Sequence, residues 1–416
     1  MRTLIVSHSD ISGGAARATY RLHQGCRKHD LDSSMIVREK SSEDDTVSCD
    51  HSLVAKIAAR IRSRTEHRAQ NLRAFEASGF VSLNLLPTRW SRRINAVKAD
   101  VVNLHWFGSG ALSIRDVARI RRPVVMTLHD MWGFCGAEHY APDHEAARWR
   151  SGYSPRGQGA QNRGIDFSRR VWRSKSRHWQ PVPVVCSSRW LAESARSSAL
   201  MKGWPVHVIP YVLDVDVFRP LPREAARNAL NLPQEKRIIL FGAAGEFADE
   251  RKGLDLLIEA LGRVDNSREE YIGVIFGQSE PENPPRLGVP LHWVGYVEDD
   301  SILASLYSAA DVMVVPSRQE ALGQTASEAH GCGTPVVAFD ATGLKDVVVH
   351  RQTGYLAEAF SADDLALGMK WVLEDEPRRA AMGRAARRRA LECWHSSVIV
   401  AQYREVYQQA LEQTPD

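Results

Sequence analysis

Long apolar runs are absent from this sequence, and so are closely spaced cysteines. No window contains about 18 consecutive uncharged apolar residues, so a membrane-spanning helix is not expected. The six cysteines are scattered without a close pair, which excludes a disulfide framework and a cysteine-based metal site and is typical of reduced thiols in a cytoplasmic protein. The opening residues, MRTLIVSHSD, contain too short an apolar run for a secretory signal and indicate a buried strand.

The remaining composition is that of an ordinary soluble globular protein, with 44% apolar and 25% charged residues. No internal repeat or low-complexity segment interrupts it. A chain of 416 residues exceeds the size at which one hydrophobic core keeps growing, so two domains of about 200 residues are expected.

Positive charge is concentrated in the first half of the chain. Residues 1–200 contain 32 Lys and Arg against 18 Asp and Glu, a net charge of +14, whereas the other 216 residues contain 22 against 32, a net charge of −10. Most of the excess falls in Lys56–Lys98 and Arg163–Arg177. These windows are either solvated helix faces or a surface for anionic partners: lipid headgroups, a pyrophosphate-linked acceptor or nucleic acid.

Short apolar runs alternate with amphipathic stretches along the chain, which predicts an α/β protein with parallel, doubly wound sheets. The strand candidates are Leu4–Ser7, Ser34–Val37, Val101–Leu104, Val124–Leu128, Val182–Cys186, His207–Ile209, Arg237–Gly242, Tyr271–Phe276, Leu291–Val294, Asp311–Val315 and Pro335–Phe339. The main helix candidates are Ala15–Lys28, Val54–Ala77, Ser113–Ile120, Phe167–Trp179, Trp190–Met201, Gly253–Gly262 and Ser301–Ala309. Prolines near Tyr211–Leu221 mark a boundary, so we predict domains 1–215 and 216–395, with a last helix at about 396–416.

The segment SRQEALGQTASEAHGCGTPVVAFDATGLKD contains the strongest functional signal. It follows a strand candidate, so Glu320 is predicted to lie in the loop at the carboxyl end of that strand, where open α/β sheets bind their ligands. The residues that open the next helix, Gly323, Gln324 and Thr325, would point backbone N–H groups at this loop and could hold a phosphate. Glu328 lies about one turn into the same helix. Two solvated glutamates on a surface helix are the alternative.

The two glutamates, eight positions apart and followed by AHGCGTPVVA, resemble the donor-site signature of retaining GT-B glycosyltransferases, specifically glycosyltransferase family 4. The preceding WVGYVEDDSILASLYSAADVMVVPS is similar to the family as well. The resemblance implies a GT-B fold with two Rossmann-like domains that face a cleft. It implies that Glu320 lies beside the transferred sugar, that Glu328 binds the donor ribose and that the backbone of Gly295 and Val297 borders the base.

Other positions match the family only in part. Lys252 lies in a Lys-Gly pair that the family uses near the donor pyrophosphate, but the arginine expected six residues earlier is replaced by Glu246, which leaves Arg251 as a substitute. Gly13 and Gly14 resemble the glycine loop that approaches the donor phosphate. Their surroundings, SHSDISGGAARA, do not form GxGxxG, which argues against a nicotinamide dehydrogenase.

A histidine at the end of a predicted strand, His129, occupies the place where the family has a histidine near the transferred sugar. His8 and His105 follow strands in the same way, so the pattern alone does not select one. SGGAARA, LHDMWGF and the basic segment Asp166–Lys175 resemble bacterial exopolysaccharide transferases of the colanic-acid kind. Such relatives often have several cysteines after HDMW, whereas this chain keeps only Cys135, so no metal is predicted in that loop.

The resemblance thus implies retaining hexosyl transfer from a nucleotide diphosphate sugar to a sugar hydroxyl of a saccharide acceptor, such as one linked to polyprenyl pyrophosphate. No DxD-like metal motif lies in the donor loop, so amides and Lys252 are expected to stabilise the leaving diphosphate without a metal or cofactor. The protein is expected in the cytoplasm, with its basic half on the anionic inner face of the membrane. Base, sugar and acceptor remain open.

Two other classes of function fit the sequence less well: another kind of GT-B enzyme and a nucleic-acid-binding protein. A GT-B epimerase would need further acid and base carboxylates, and a GT-B phosphorylase would need a lysine for pyridoxal phosphate; neither is evident. A nucleic-acid-binding protein has only the basic charge of the first half in its favour, because no aromatic-interleaved strand or recognition-helix pattern accompanies it. We therefore expect no nucleic-acid partner.

Overall fold

The computed structural model describes residues 1–50, 52, 60–62, 64, 80–154, 165–242, 249–285 and 287–413. The chain divides into two compact units: unit 1 comprises Met1–Val212 and Ile399–Asp416, and unit 2 comprises Leu213–Val398. Both boundaries lie three residues from the sequence-based ones at 215 and 395. Apart from residues 60–62 and 64, the predicted helix Val54–Ala77 lies outside the described residues.

Seven strands of the described chain form a parallel sheet in unit 1, in the order β3-β2-β1-β4-β5-β6-β7. They are β1 (Arg2–Ser9), β2 (Asp32–Glu39), β3 (Val47–Ser48), β4 (Val101–Leu104), β5 (Val124–Leu128), β6 (Val184–Cys186) and β7 (Val206–Val208). Strand β6 begins two residues later than predicted, because Pro183 has no N–H to donate to a neighbouring strand. The two-residue β3 was not predicted, since it is too short for a periodic pattern. The strand order reverses between β1 and β4, and ligands of open α/β sheets bind at such a reversal.

The helices of unit 1 largely follow the predicted amphipathic stretches. They are α1 (Gly14–Lys28), α2 (Trp90–Ala96), α3 (Ile114–Val117), α4 (Arg148–Ser151), α5 (Phe167–His178) and α6 (Arg189–Ser197). Helix α3 is shorter than predicted and begins after Ser113, whose side chain accepts the N–H of Asp116 and so caps the first turn. The short α2 and α4 were missed. Helix α4 lies in the long loop after Trp132, where Trp149 is buried, so the described part of that loop is packed.

Unit 2 also contains a parallel sheet, formed by six strands of the described residues in the order β10-β9-β8-β11-β12-β13. These strands are β8 (Arg237–Gly242), β9 (Tyr271–Phe276), β10 (Leu291–Gly295), β11 (Val312–Val315), β12 (Val336–Phe339) and β13 (Gly354–Ala357). All but β13 were predicted to within one residue at each end. The order reverses between β8 and β11, which brings the loops that follow these two strands together at the carboxyl edge of the sheet.

The helices of unit 2 are α7 (Arg223–Ala229), α8 (Leu254–Leu261), α9 (Asp300–Ala309), α10 (Gln324–Gly331), α11 (Leu344–Val347), α12 (Ala362–Leu373) and α13 (Glu376–Trp394), with a 3-10 turn at Glu250–Lys252 before α8. Asp311, just before β11, is 2% exposed and joins α7 and α13 to the sheet. Its carboxylate accepts hydrogen bonds from Arg227 at 2.8 Å and from the backbone N–H of Ile238 at 2.7 Å, and it lies 3.4 Å from Arg379. This paired burial of charge fixes the start of the strand that carries the candidate site.

The last helix, α14 (Ser396–Glu412), packs into the core of unit 1. Its Ile399, Tyr403 and Tyr407 are buried, and the Tyr407 hydroxyl accepts a hydrogen bond from Asn103 of β4 at 2.8 Å. None of the helices in the described ranges has both the length and the apolar character required to cross a bilayer.

Candidate active site

Glu320 lies in the loop that follows β11, and its carboxylate is the centre of a polar cluster. Its Oε1 accepts hydrogen bonds from Lys252 Nζ at 2.7 Å and from Ser317 Oγ at 3.0 Å. Its backbone is fixed as well, because its N–H donates to Thr342 Oγ1 and its carbonyl accepts from the Gly343 N–H. Burial alone would raise the pKa of Glu320, but the charges of Lys252 and Arg251 and these hydrogen bonds outweigh it and lower the pKa. Glu320 is therefore a fixed anion.

Lys252 reaches Glu320 because the chain between β8 and α8 approaches the end of β11 very closely. Gly253, the residue before α8, has a φ of +68°, and a Cβ atom there would lie 1.9 Å from the carbonyl oxygen of Pro316. Only glycine avoids both the left-handed strain and this overlap. Packing thus explains the Lys-Gly pair. The glycine permits the close approach of this segment to the end of β11, and that approach places Lys252 beside the Glu320 carboxylate.

Arg251 has a different environment from Lys252. Its guanidinium donates to the carbonyl of Gln319 at 3.1 Å and to Asp249 at 2.8 Å, and it approaches Glu320 Oε1 only to 4.0 Å. Its carbonyl accepts the backbone N–H of Arg318 at 2.8 Å. Arg251 therefore joins the two loops to each other, and Lys252 makes the closer contact with Glu320. The position that replaces the family's arginine, residue 246, lies outside the described residues.

Helix α10 begins where it was predicted to begin, at Gln324 after Gly323. Gly323 has a φ of +100°, and a Cβ there would lie 2.6 Å from Leu344 Cδ2, so the turn into the helix requires glycine. A helix start presents backbone N–H groups that suit an anion, so the start of α10, including Thr325, can bind one. Glu328 lies further along the helix, is 5% exposed, and accepts a hydrogen bond from Tyr307 Oη at 2.9 Å.

The two residues predicted to border the base lie at the end of β10. Gly295 is the last residue of that strand, has a φ of +84°, and accepts the backbone N–H of Gly277 through its carbonyl at 2.7 Å. Val297 lies two residues beyond the strand and is half-buried. This segment belongs to the same carboxyl edge of the unit 2 sheet as Lys252 and Glu320.

In unit 1, the predicted residues lie at the carboxyl ends of β1, β4 and β5. Gly13 precedes α1 and Gly14 is its first residue. His129 follows β5, and its Nε2 lies 2.9 Å from Nδ1 of His105, which follows β4. The Tyr211 ring stacks on His129 with centroids 5.2 Å apart. Burial lowers the pKa of His129 to about 4 and also lowers that of His105, so both rings are neutral at physiological pH and one of them donates an N–H to the other.

Next to this pair, Asp130, His139 and Ser82 form a hydrogen-bonded chain. His139 Nδ1 lies 2.6 Å from Asp130, and its Nε2 lies 2.8 Å from Ser82 Oγ. The arrangement has the geometry of a serine hydrolase triad, but Ser82 is fully buried and accepts the backbone N–H of Ser109 at 2.9 Å. These three hydrogen-bonded side chains therefore order the loop after β5 and do not present a nucleophile.

One residue of the predicted basic surface is not at the surface. Lys175 of α5 is completely buried, with its Nζ 2.9 Å from the carbonyl oxygen of Gly136, 3.2 Å from that of Cys135, and over the Trp132 ring. Burial lowers the pKa of Lys175 to about 7. The sequence pattern could not separate it from its exposed neighbours, because its partners are backbone carbonyls from a distant loop. Lys175 therefore orders the loop after β5, and cannot belong to an anion-binding surface.

Sequence reasoning missed several residues that organise the donor side. Ser317, Thr342 and Tyr307 contact the two glutamates, and Arg318 forms a paired hydrogen bond with Asp255 of α8 at 2.6 and 2.8 Å. Tyr307 lies in the LYSAADV segment, where the sequence pattern predicts a helix but no role for the tyrosine. Within the described residues, no group of three or more His, Cys, Asp or Glu side chains is arranged to hold a metal ion.

Comparison with known families gives two adjacent matches. The family described as Glycosyltransferase Family 4 matches residues 12–217, and the family described as Glycosyl transferases group 1 matches residues 222–389. A D-inositol 3-phosphate glycosyltransferase of Xylanimonas cellulosilytica is 31% identical over 335 residues, which cover 76% of this chain and 73% of the relative. Another from Gordonia bronchialis is 32% identical over 229 residues, 51% of this chain and about half (49%) of that relative.

Solved structures support the same fold. Sucrose-phosphate synthase from Thermosynechococcus elongatus has a TM-score of 0.66 at 18% identity, with all of both chains covered. Anabaena HepE in complex with UDP-glucose has a TM-score of 0.65 at 16% identity, covering 98% of this chain and 100% of that one. The chain therefore belongs to the family 4 glycosyltransferases, and its two parallel-sheet, Rossmann-like units are those of the GT-B fold.

Proposed function

We propose that this glycosyltransferase transfers a hexosyl group from a nucleotide diphosphate sugar to a hydroxyl of its acceptor, with retention of anomeric configuration. The observation that carries the proposal is the pairing of Lys252 with Glu320 where the sheet order of unit 2 reverses, with the start of α10 four residues after Glu320. A cation, the backbone amides of a helix start and a fixed carboxylate together suit a diphosphate joined to a sugar.

Each group has a separate role in this proposal. Glu328 binds the ribose diol, and the first turn of α10 with Lys252 binds the diphosphate. Lys252 has three N–H donors, so it can keep its bond to Glu320 while it serves a phosphate oxygen. Glu320, kept ionised, supports positive charge that develops at the anomeric carbon. Because no second carboxylate is assigned to the other face of the sugar, departure and attack on the same face is the proposed route.

On the acceptor side, we propose that His129 contacts a sugar hydroxyl. Its Nδ1 is buried and has no hydrogen-bond partner among the described residues, and the ring is neutral, so this nitrogen is suited to a hydroxyl group. The proposed acceptor is a saccharide on a lipid carrier. A second candidate is D-inositol 3-phosphate, because the relatives that share 31–32% identity with this chain are named for it.

A matrix of donors and acceptors tests this proposal. UDP-, GDP- and ADP-hexoses are each combined with a lipid-linked saccharide and with D-inositol 3-phosphate, and products are analysed by NMR at the new anomeric centre. We expect one donor base to predominate and the product to keep the donor's configuration. An inverted product would refute the retaining mechanism, and hydrolysis without transfer to either acceptor would refute both acceptor assignments.

We also propose that turnover requires no divalent metal, since Lys252 and the α10 amides are placed to stabilise the leaving diphosphate. Activity should therefore persist in an excess of EDTA. Loss of activity with EDTA and its recovery with Mg²⁺ or Mn²⁺ would show that the leaving group depends on a metal instead.

Finally, we propose that the basic first half docks on anionic membranes. Arg170, Arg173 and Arg177 are exposed on α5, and each basic residue near such a surface contributes about 1 kcal/mol. The protein should co-sediment with anionic but not zwitterionic vesicles and be released at about 0.5 M salt.

Reversing Arg170 and Arg173 to Glu should weaken binding at least about tenfold, whereas the same reversal at exposed Arg384 and Arg388 of unit 2 should not. Equal effects would mean that the binding is non-specific.

A further inference from the structure

In the proposed function, Glu328 binds the ribose of the nucleotide. A long side chain on a helix needs a neighbouring group to fix its rotamer. The Oη of Tyr307, a residue of α9, donates to Glu328 Oε2 at 2.9 Å, and both side chains are buried. A carboxylate has roughly four acceptor positions, and the Tyr307 hydroxyl occupies one of them. We propose that Tyr307 is a positioning residue that sets the rotamer of Glu328 for the two hydroxyl groups of the donor ribose.

The surroundings of Tyr307 make it a rigid support. Its ring is fully buried and packs against Phe276 with centroids 5.8 Å apart, and against Phe218 at 6.2 Å. Its backbone carbonyl accepts the hydroxyl of Thr334 at 2.6 Å, and Thr334 follows α10. Both the ring and the backbone of Tyr307 are therefore held, and its hydroxyl lies at a fixed point beside the helix that carries Glu328.

The position of this contact also fits a ribose. Phe276, which packs on Tyr307, is the last residue of β9, and Gly277 after it pairs with Gly295 of β10. Through Phe276 and Gly277, the Tyr307–Glu328 bond is thus joined by packing to the edge assigned to the base. Because Tyr307 acts through Glu328, the inference rests on the proposed function.

The test compares a nucleoside diphosphate with its 2′,3′-dideoxy analogue by calorimetric titration, using the base that the wild-type protein binds. We expect Tyr307→Phe, which keeps the ring, to bind the ribose form about tenfold more weakly and to bind the dideoxy form as the wild type does. The preference for ribose should therefore decrease about tenfold. Equal weakening of both ligands would show a merely structural role, and no weakening of either would also overturn the proposal.

Two further variants make the result specific. Tyr355→Phe is the matched control, since the Tyr355 hydroxyl also donates to a carboxylate of unit 2, Asp364, at 2.9 Å; it should leave the ribose preference unchanged. Glu328→Gln separates the assignment of Glu328 to the ribose from the positioning role of Tyr307. If it retains the full preference, the assignment of Glu328 fails; if it loses the preference while Tyr307→Phe keeps it, only the role of Tyr307 fails.

A substitution that keeps the ring and hydroxyl of tyrosine covers the case in which Tyr307→Phe does not fold. Fluorotyrosine at position 307 makes the hydroxyl a stronger donor while it preserves the packed ring. A positioning role predicts a changed ribose preference and little change for the dideoxy ligand. An unchanged preference would overturn the proposal.

Discussion

The adjacent residues Arg251 and Lys252 of this site have different hydrogen-bond partners. Arg251 is bonded to the carbonyl of Gln319 and to Asp249, whereas Lys252 contacts the carboxylate of Glu320 directly. Two adjacent cations of the same charge therefore have different tasks. Arg251 joins the two loops, and Lys252 is the cation that we propose for the leaving diphosphate.

This difference predicts an order of effects. Lys252→Ala should lower kcat by about a hundredfold or more, the range seen when a group that stabilises developing negative charge is lost. Arg251→Ala should cost less in kcat and more in thermal stability. Steady-state kinetics and melting curves of both variants provide the measurement. A larger loss of kcat for Arg251→Ala would mean that the roles are reversed.

The sequence predicted these residues only where a local pattern carried the information. Glu320, Glu328, Lys252 and the start of α10 lie in short motifs at strand ends, and the open α/β topology dictates where strand ends lie. Tyr307 and His139 could not be found in this way, because their partners Glu328 and Ser82 are 21 and 57 residues away in the chain. The burial of Lys175 was hidden for the same reason.

Among the secondary-structure elements, α8 shows how one glycine positions a functional side chain. The helix begins after Gly253 and ends before Gly262. At the first glycine a Cβ would overlap the Pro316 carbonyl, whereas at the second the nearest atom, the Glu259 carbonyl oxygen, is 3.4 Å away and the backbone has an ordinary φ of −63°. The same substitution at the two ends should therefore have opposite consequences.

We expect Gly253→Ala to destabilise the protein by about 1–3 kcal/mol, because it combines left-handed strain with a steric overlap. It should also lower turnover, since relief of the overlap moves Lys252. Gly262→Ala, the matched control, should be neutral or stabilising by up to about 1 kcal/mol. Chemical denaturation gives both values. Equal destabilisation by the two variants would contradict the packing argument.

Strand boundaries were predicted most closely where a continuous apolar run was present. The long runs of β5, β8 and β9 were predicted to the residue. The two-residue β3 is too short to show a period, and β13 has the sequence GYLA, which begins with glycine and contains no β-branched residue; their pairing partners β2 and β12 decide that they are strands. Local sequence cannot contain that information.

In the whole molecule, buried neutral histidines link stability to pH. Burial lowers the pKa of His23 and His129 in unit 1 to about 4, and that of His330 in unit 2 to about 3. In the unfolded chain these rings bind a proton near their ordinary pKa of about 6.5. Between about pH 6.5 and 4 the unfolded state therefore holds more protons than the folded state, and stability must fall as the pH is lowered.

Each such histidine should reduce the free energy of unfolding by up to about 1.4 kcal/mol per pH unit in this range. His330→Phe should weaken the effect, because phenylalanine can keep the stacking on Trp394, whose ring is 6.0 Å away, without a proton to gain. Calorimetry at pH 7.5, 6 and 5 measures this. An acid sensitivity that is identical in wild type and His330→Phe would show that His330 does not contribute to it.

We propose that the two glutamates of unit 2 bind different parts of the donor: Glu328 binds the nucleotide and Glu320 acts at the sugar. Comparing Glu320→Gln with Glu328→Gln tests it, with kcat and the Kd for the nucleoside diphosphate measured for each. We predict that Glu328→Gln weakens nucleotide binding about ten- to a hundredfold. Glu320→Gln, like His129→Ala, should lose turnover with nucleotide affinity nearly intact. If Glu320→Gln loses affinity as severely as turnover, or Glu328→Gln binds nucleotide normally, this division of roles is wrong.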